Sequence, residues 1–223
     1  MKILHISVPK NGGTFIANHL ACNFKPDQCF IVDLHNVSLD SFLKDADRIT
    51  EEFSLVAGHI PFRFVAPFAK RFDMIVSSYR DPWSRAWSAF KYITHQDPKW
   101  NHLRPRSAED TAENFSRFIE DYFVSNRFTR NNQCGYLGED NRPESALMNI
   151  AQYRIRMLWC GSLKEDIEKL FFAEKLRLKQ NAPKNEADDA PVVVRRGQYP
   201  LIDDRIDYWF AGDSALCATL RGC

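Results

Sequence analysis

Residues 3 to 20 constrain the fold of this chain more than any other stretch. Ile3, Leu4, Ile6 and Val8 form an apolar run with little polar alternation, the pattern of a strand covered on both faces. The run stops at Pro9. Lys10, Asn11, Gly12, Gly13 and Thr14 follow, and from Gly13 to about Cys22 the sequence reads as a helix. Strand and helix then keep alternating. Short strands are expected at 29–33, 54–58, 73–78 and in "IRMLWCG", and "PFRFVAPFAKRF" is expected to hold a short helix with a break near Pro67. In "RDPWSRAWSAFKYI", Asp81 caps and Pro82 suits the first helical position. Trp83, Trp87 and Phe90 then share one buried face. Helices also fit "SAEDTAENFSRFIEDYFV", 144–153, "SLKEDIEKLFFAEKL" and, as two short pieces, "LIDDRIDYWFAGDSALCATL". Residues 97–107 and 126–142 read as polar surface loops, and 179–197 as a polar, Pro-containing stretch. This order predicts an α/β fold with a mainly parallel sheet, whose ligands bind beyond the carboxyl ends of the strands.

At 223 residues, with 44% hydrophobic side chains, the chain can build one substantial core, and a single domain over 1–223 is expected. Thirty basic and 29 acidic residues give a formal charge of +1, so the overall balance points to neither nucleic acid nor an anionic membrane surface. Any anion site has to be local. The first apolar run is too short for a signal-peptide core, and no stretch reaches the ~18 apolar residues of a membrane span. Six cysteines without a CxxC pair read as reduced thiols of a cytoplasmic protein, and the scattered histidines imply no metal.

The turn after the first strand carries the chemistry. Gly12 and Gly13 let the backbone approach a ligand closely, and the amino end of the following helix favours phosphate or sulfate. A Gly-Gly pair alone is satisfied by turn geometry. Lys10 adds a cation and Thr14 a hydroxyl donor, which turns the reading to an anion site. A nucleotide-triphosphate loop of the GxxxxGK[ST] kind places its Lys after the glycines, whereas Lys10 precedes them.

"PKNGGT" resembles the PKTGGT-type loop of sulfotransferases that use 3'-phosphoadenosine 5'-phosphosulfate (PAPS), and "RDPWSRAWSAF" resembles their RDPxxRxxSxY segment. "AGHIPF", between them, is similar to the GH element of the carbohydrate branch that includes the heparan and chondroitin 2-O-sulfotransferases. The likeness is good over residues 1–95. It is looser beyond, where "WCGSLKEDIEKL" and "IDYWFAGDSAL" resemble a late strand-helix pair and a closing helix. The resemblance implies a P-loop-like three-layer fold and an O-sulfotransferase with PAPS as donor and PAP as product. By position, Lys10, Asn11, Gly12, Gly13 and Thr14 would hold the 5'-phosphosulfate, Arg80 and Ser88 the 3'-phosphate, and His59 would be the base. Lys184 in "KQNAPKNEADD" is a candidate for a further phosphate contact, and an exposed charged linker fits that stretch equally.

Such a transfer should resemble phosphoryl transfer: in line, loose, and catalysed by positioning and charge stabilisation. Lys10 suits the leaving phosphate oxygen, and a histidine suits the acceptor hydroxyl proton near neutral pH. The alternative for Arg80 is a surface ion pair, and for His59 a capping or packing role. The chain departs from the family pattern at Asn11, usually Thr or Ser, at Phe15, often Ser, and at Phe90, often Tyr. The acceptor side is expected in the two polar loops, with Lys99, Arg104, Arg106, Arg127 and Arg130 as a basic rim and Trp100, Phe128 and Tyr136 as stacking rings or core. That rim suits an anionic glycan or an already sulfated or carboxylated acceptor, and a solvated basic surface fits it equally; a small metabolite is the alternative acceptor. A nucleotide kinase or hydrolase, and a non-catalytic nucleotide-binding module, are the competing functional classes.

Overall fold

The computed structural model describes residues 1–32, 38–104, 108–125, 130–178 and 195–222, with backbone alone for 108–110 and 124–125. The chain divides into two compact units, Met1–Arg80 with Gln133–Asn185 and Asp81–Asn132 with Glu186–Cys223.

The first unit is a five-stranded sheet flanked by helices. Its strands are β1 (Ile3–Ile6), β2 (Cys29–Val32), β3 (Leu55–Gly58), β4 (Met74–Tyr79) and β5 (Arg156–Trp159). They lie in the order β2-β3-β1-β4-β5 and every pairing is parallel. The three inner strands are buried along their whole length and the two edge strands are partly exposed, as their composition requires. Helix α1 (Gly13–Ala21) supplies Ile16 and Leu20 to one sheet face, and a helix near the end of the unit, Leu163–Ala173, supplies Ile167 and Phe171. They meet Ile3, Leu55, Ala57, Met74, Val76 and Leu158.

Between β2 and β3 lie α2 (Leu39–Lys44), begun by the Ser38 hydroxyl accepting from Ser41 N, and α3 (Ala46–Glu52). Sequence reading left both out. The expected short helix before β4 is α4 (Phe62–Val65), which tightens at Pro67 into a 3-10 turn over Ala66–Arg71.

The second unit is helical. In α5 (Pro82–Gln96) the Asp81 carboxylate accepts from Ser84 N and Pro82 opens the first turn, as expected. Trp83, Ala86, Trp87 and Phe90 of α5 pack with Phe115, Phe118, Ile119 and Phe123 of α6 (Ala108–Ser125), stripes at helical spacing.

The two expected polar loops are partly helical, which corrects the sequence reading. Within 97–107, a 3-10 turn over Pro98–Leu103 starts where Asp97 accepts from Lys99 N, and it buries Trp100 and Leu103, three residues apart as the 3-10 repeat places them. Within 126–142 lies α7 (Asn132–Leu137), which buries Gln133, Cys134, Gly135 and Leu137. The expected helix at 144–153 is α8 (Pro143–Gln152), and it ties to α7 through Asn149 Nδ2 donating to Leu137 O at 2.9 Å. The helix Leu163–Ala173 is α9, and the closing pair is α10 (Pro200–Trp209) and α11 (Ala211–Arg221).

Candidate functional site

Because the strands are parallel, their carboxyl ends open on one edge, with Ile6 of β1 beside Gly58 of β3 and Ser77 of β4. The chain leaving β1 goes to β2 on one side of the sheet, and β5 lies next to β4 on the other side. The outgoing connections therefore part between β1 and β4, the place where α/β sheets hold ligands. Ser7 to Thr14 leave the sheet there beside Arg80, and His59 follows β3 on the adjacent strand.

The loop is built for close approach. Asn11 N donates to Val8 O at 3.2 Å, and the residues on either side of Asn11 are left-handed, Lys10 at φ 68° and Gly12 at φ 77°. A lysine in that region costs about 1–2 kcal/mol, and strain of this kind gathers at ligand loops. Gly12 starts α1 without a side-chain cap, and the first turn of α1 has no acidic residue, so its amino end presents uncompensated positive dipole. A Cβ at Gly13 would collide with the Ser7 hydroxyl. Thr14 is exposed and Lys10 half-buried.

Asn11 is fully buried. Its Nδ2 donates to Ser78 O at 3.0 Å and to Gln133 Oε1 at 2.8 Å, while Ser78 Oγ donates to Asn11 O at 2.6 Å. The Asn11 side chain is thus turned into the protein, where it fastens the loop to the end of β4. Asn11 Oδ1 has no hydrogen-bond partner among the described residues. Arg80 Nη1 donates to Lys10 O at 3.2 Å, which holds the guanidinium against the same loop. Burial raises the Cys160 thiol above its ordinary value, and the charge of Arg80 works against that shift.

His59 Nδ1 meets Ser7 O at 2.7 Å. A carbonyl only accepts, so Nδ1 carries the proton and, in the neutral ring, Nε2 bears the lone pair. Gly58 makes this possible. Its φ is 125°, and a Cβ there would strike the Val32 carbonyl. Two residues before Ser7, His5 is fully buried with both ring nitrogens lacking hydrogen-bond partners among the described residues. Burial first, and then the charge of His59, lower its pKa to about 3.

Of the other expected site residues, Ser88 lies half-buried on α5 in the second unit. Lys184, Arg106, Arg127 and Phe128 lie outside the described residues. Trp100 is core of the second unit, where Arg130 also sits, stacked 3.5 Å from the Trp209 ring centroid and donating to Phe123 O. Tyr136 is half-buried, its hydroxyl pKa raised by burial. Lys99 and Arg104 are exposed. His19 is buried and packs against Phe15 at 4.3 Å between ring centroids. Sequence reading missed Gln133, Ser78 and Ser7, which bond to loop or strand-end groups without belonging to a motif.

The first unit is therefore an α/β scaffold built on a parallel sheet, with a Lys-bearing loop at the edge where such sheets bind ligands. No family model matches the chain, and no curated protein matches it. Among solved structures it is similar to mouse sulfotransferase SULT7A1 complexed with PAP, at 12% identity and a TM-score of 0.46, over 81% of this chain and 60% of that one. This chain therefore matches less than two thirds of the mouse enzyme's length. At 12% identity no residue role passes from one chain to the other. Among the described residues no group of three or more His, Cys, Asp or Glu could hold a metal, and no helix is long and apolar enough to cross a membrane.

Proposed function

We propose that the protein is a PAPS-dependent O-sulfotransferase. The observation that supports this best is the convergence, between the ends of β1 and β4, of Lys10, the uncapped amino end of α1 and the Arg80 guanidinium. Two cations and a helix dipole on a chain of net charge +1 form a local site for a ligand that carries more than one phosphate or sulfate group. PAPS fits that set, and it would supply a sulfuryl group attached to a phosphate that leaves as an anion.

The loop from Lys10 to Thr14 takes the phosphosulfate end, and Lys10 stabilises the charge that grows on the leaving phosphate. Arg80 takes the 3'-phosphate through its rigid fork. Ser88 is assigned to the same phosphate on the sequence motif alone, and so is Lys184. His59 Nε2, left basic by the Nδ1 bond to Ser7 O, accepts the proton of the acceptor hydroxyl. The acceptor is a glycan or a small metabolite. Assignment to the carbohydrate branch rests on the "AGHIPF" element. The cysteines among the described residues are free thiols, in keeping with a cytoplasmic setting.

The chain is also proposed to fold as one domain, because each unit is made of two segments that interleave along the sequence. A single calorimetric transition is expected, and two resolved transitions would divide it.

The first test is calorimetric titration with PAP, beside ADP and ATP with magnesium. Preference for PAP that is lost in Arg80→Ala is expected. Preference for ATP with magnesium would replace the sulfotransferase reading with a kinase.

A further inference from the structure

Gln133 is fully buried in α7, and the transfer described above makes no use of it. Its amide is nevertheless committed to the site. Oε1 accepts from Arg80 N at 2.8 Å and from Asn11 Nδ2 at 2.8 Å, and Nε2 donates to Arg80 O at 2.9 Å. One side chain thus gives the Arg80 peptide both a donor and an acceptor, the service a neighbouring strand would perform. It does so where such help is needed, because the pairing of β4 with β5 ends at Tyr79 and Trp159, one residue earlier. The same oxygen holds Asn11, whose amide reaches Ser78 O, and Arg80 in turn reaches Lys10 O.

We infer that Gln133 is a positioning residue: it fixes the direction in which Arg80 leaves the sheet and ties that direction to the shape of the loop from Lys10 to Gly13. It touches no reacting atom. The inference rests on the donor-site reading for the identity of the anion and on the hydrogen bonds alone for the coupling. A space-filling role would be met by Met or Leu. The three bonds need an acceptor and a donor on one planar group at this length of side chain, which a carboxylate or a shorter amide does not supply.

The test combines hydrogen exchange with PAP titration on the full chain and on Gln133→Met, which keeps the length and removes the amide. In Gln133→Met, exchange at Arg80 and at Asn11 to Gly13 is expected to rise at least tenfold while β1 and β3 keep their protection. The PAP dissociation constant is expected to rise about tenfold, as loss of net hydrogen bonding of this size implies. Unchanged exchange at Arg80 and in the loop would overturn the inference, whatever the titration shows. Raised exchange in a protein whose wild type ignores PAP would sink the donor reading and leave the positioning role standing. Should Gln133→Met not fold, the wild type alone decides. Its Arg80 amide lies beyond the ladder and must exchange as slowly as the strand amides if Gln133 holds it, and fast exchange there refutes the role.

Discussion

The two units bury polar groups in different ways. In the sheet unit, Ser7, Asn11, Ser77, Ser78 and Gln133 are all buried near the carboxyl edge, and most of their bonds run to backbone carbonyls or amides of the loop and the strand ends. In the helical unit the core is aromatic, and the polar pair inside it is Arg85 with Asp213, 3.3 Å apart, with the guanidinium 5.0 Å from the Phe210 ring centroid. The first arrangement fixes backbone direction at an edge open to ligands. The second neutralises a charge inside packing. Buried polarity therefore shapes main chain at the sheet edge in one unit and closes on itself inside the core of the other.

Breaking the helical unit's pair should give the largest effect. Asp213→Ala removes the carboxylate that faces the buried Arg85 guanidinium and should cost about 3–5 kcal/mol, the usual loss when one partner of a buried ion pair is deleted. For a chain of this size that lowers the melting temperature by roughly 10 °C, read by calorimetry. PAP affinity of the molecules that remain folded should stay as in the wild type. Next comes Lys10→Ala, which should reduce sulfuryl transfer by about 10²–10³ fold, the usual loss for one charge-stabilising donor. Its melting temperature should hardly move, because Ala inherits the same left-handed backbone. A Lys10→Ala enzyme with wild-type turnover would take the loop out of the chemistry. Arg80→Ala should be milder, weakening PAP by roughly 10–100 fold for the loss of charged hydrogen bonds. Its peptide keeps the bonds to Gln133, so stability should hold, and a titration beside a thermal melt separates the two effects.

The parallel sheet, the strand–turn–helix opening and the Asp81–Pro82 helix start were legible because each is local: apolar runs, glycines and a cap are written in adjacent residues. The 3-10 turn with Trp100 and Leu103 was also written there, as Asp-Pro followed by two large side chains three apart, but polar neighbours hid it. Helix α7 was not legible. Its inward side chains include an amide, so no apolar period announces a helix, and Gln133 gains its meaning from Arg80, 53 residues away. His59 was visible as a residue, while its tautomer was not, because the partner that sets it is the backbone carbonyl of Ser7.

His5 sharpens the comparison, as a buried polar group of the sheet unit whose ring nitrogens have no hydrogen-bond partner among the described residues. In the neutral ring one nitrogen carries a proton with no acceptor, at a cost of about 1–3 kcal/mol. His5→Leu should therefore raise stability at pH 7 by ~1 kcal/mol, the smallest effect here, after some loss from imperfect packing. The sign of the pH response is fixed by the shift. The folded pKa is about 3 and the unfolded one about 6.5, so between these values the unfolded chain binds a proton that the folded chain refuses. Wild-type stability should then fall as pH drops below 6.5, by up to ~1.4 kcal/mol per unit from this residue, whereas His5→Leu should lack that component. Urea unfolding of both proteins from pH 7 down to pH 5 should show the variant's advantage widening. Parallel curves would mean that His5 takes up its proton while folded, and the sheet unit would then hold a charge that its burial argues against.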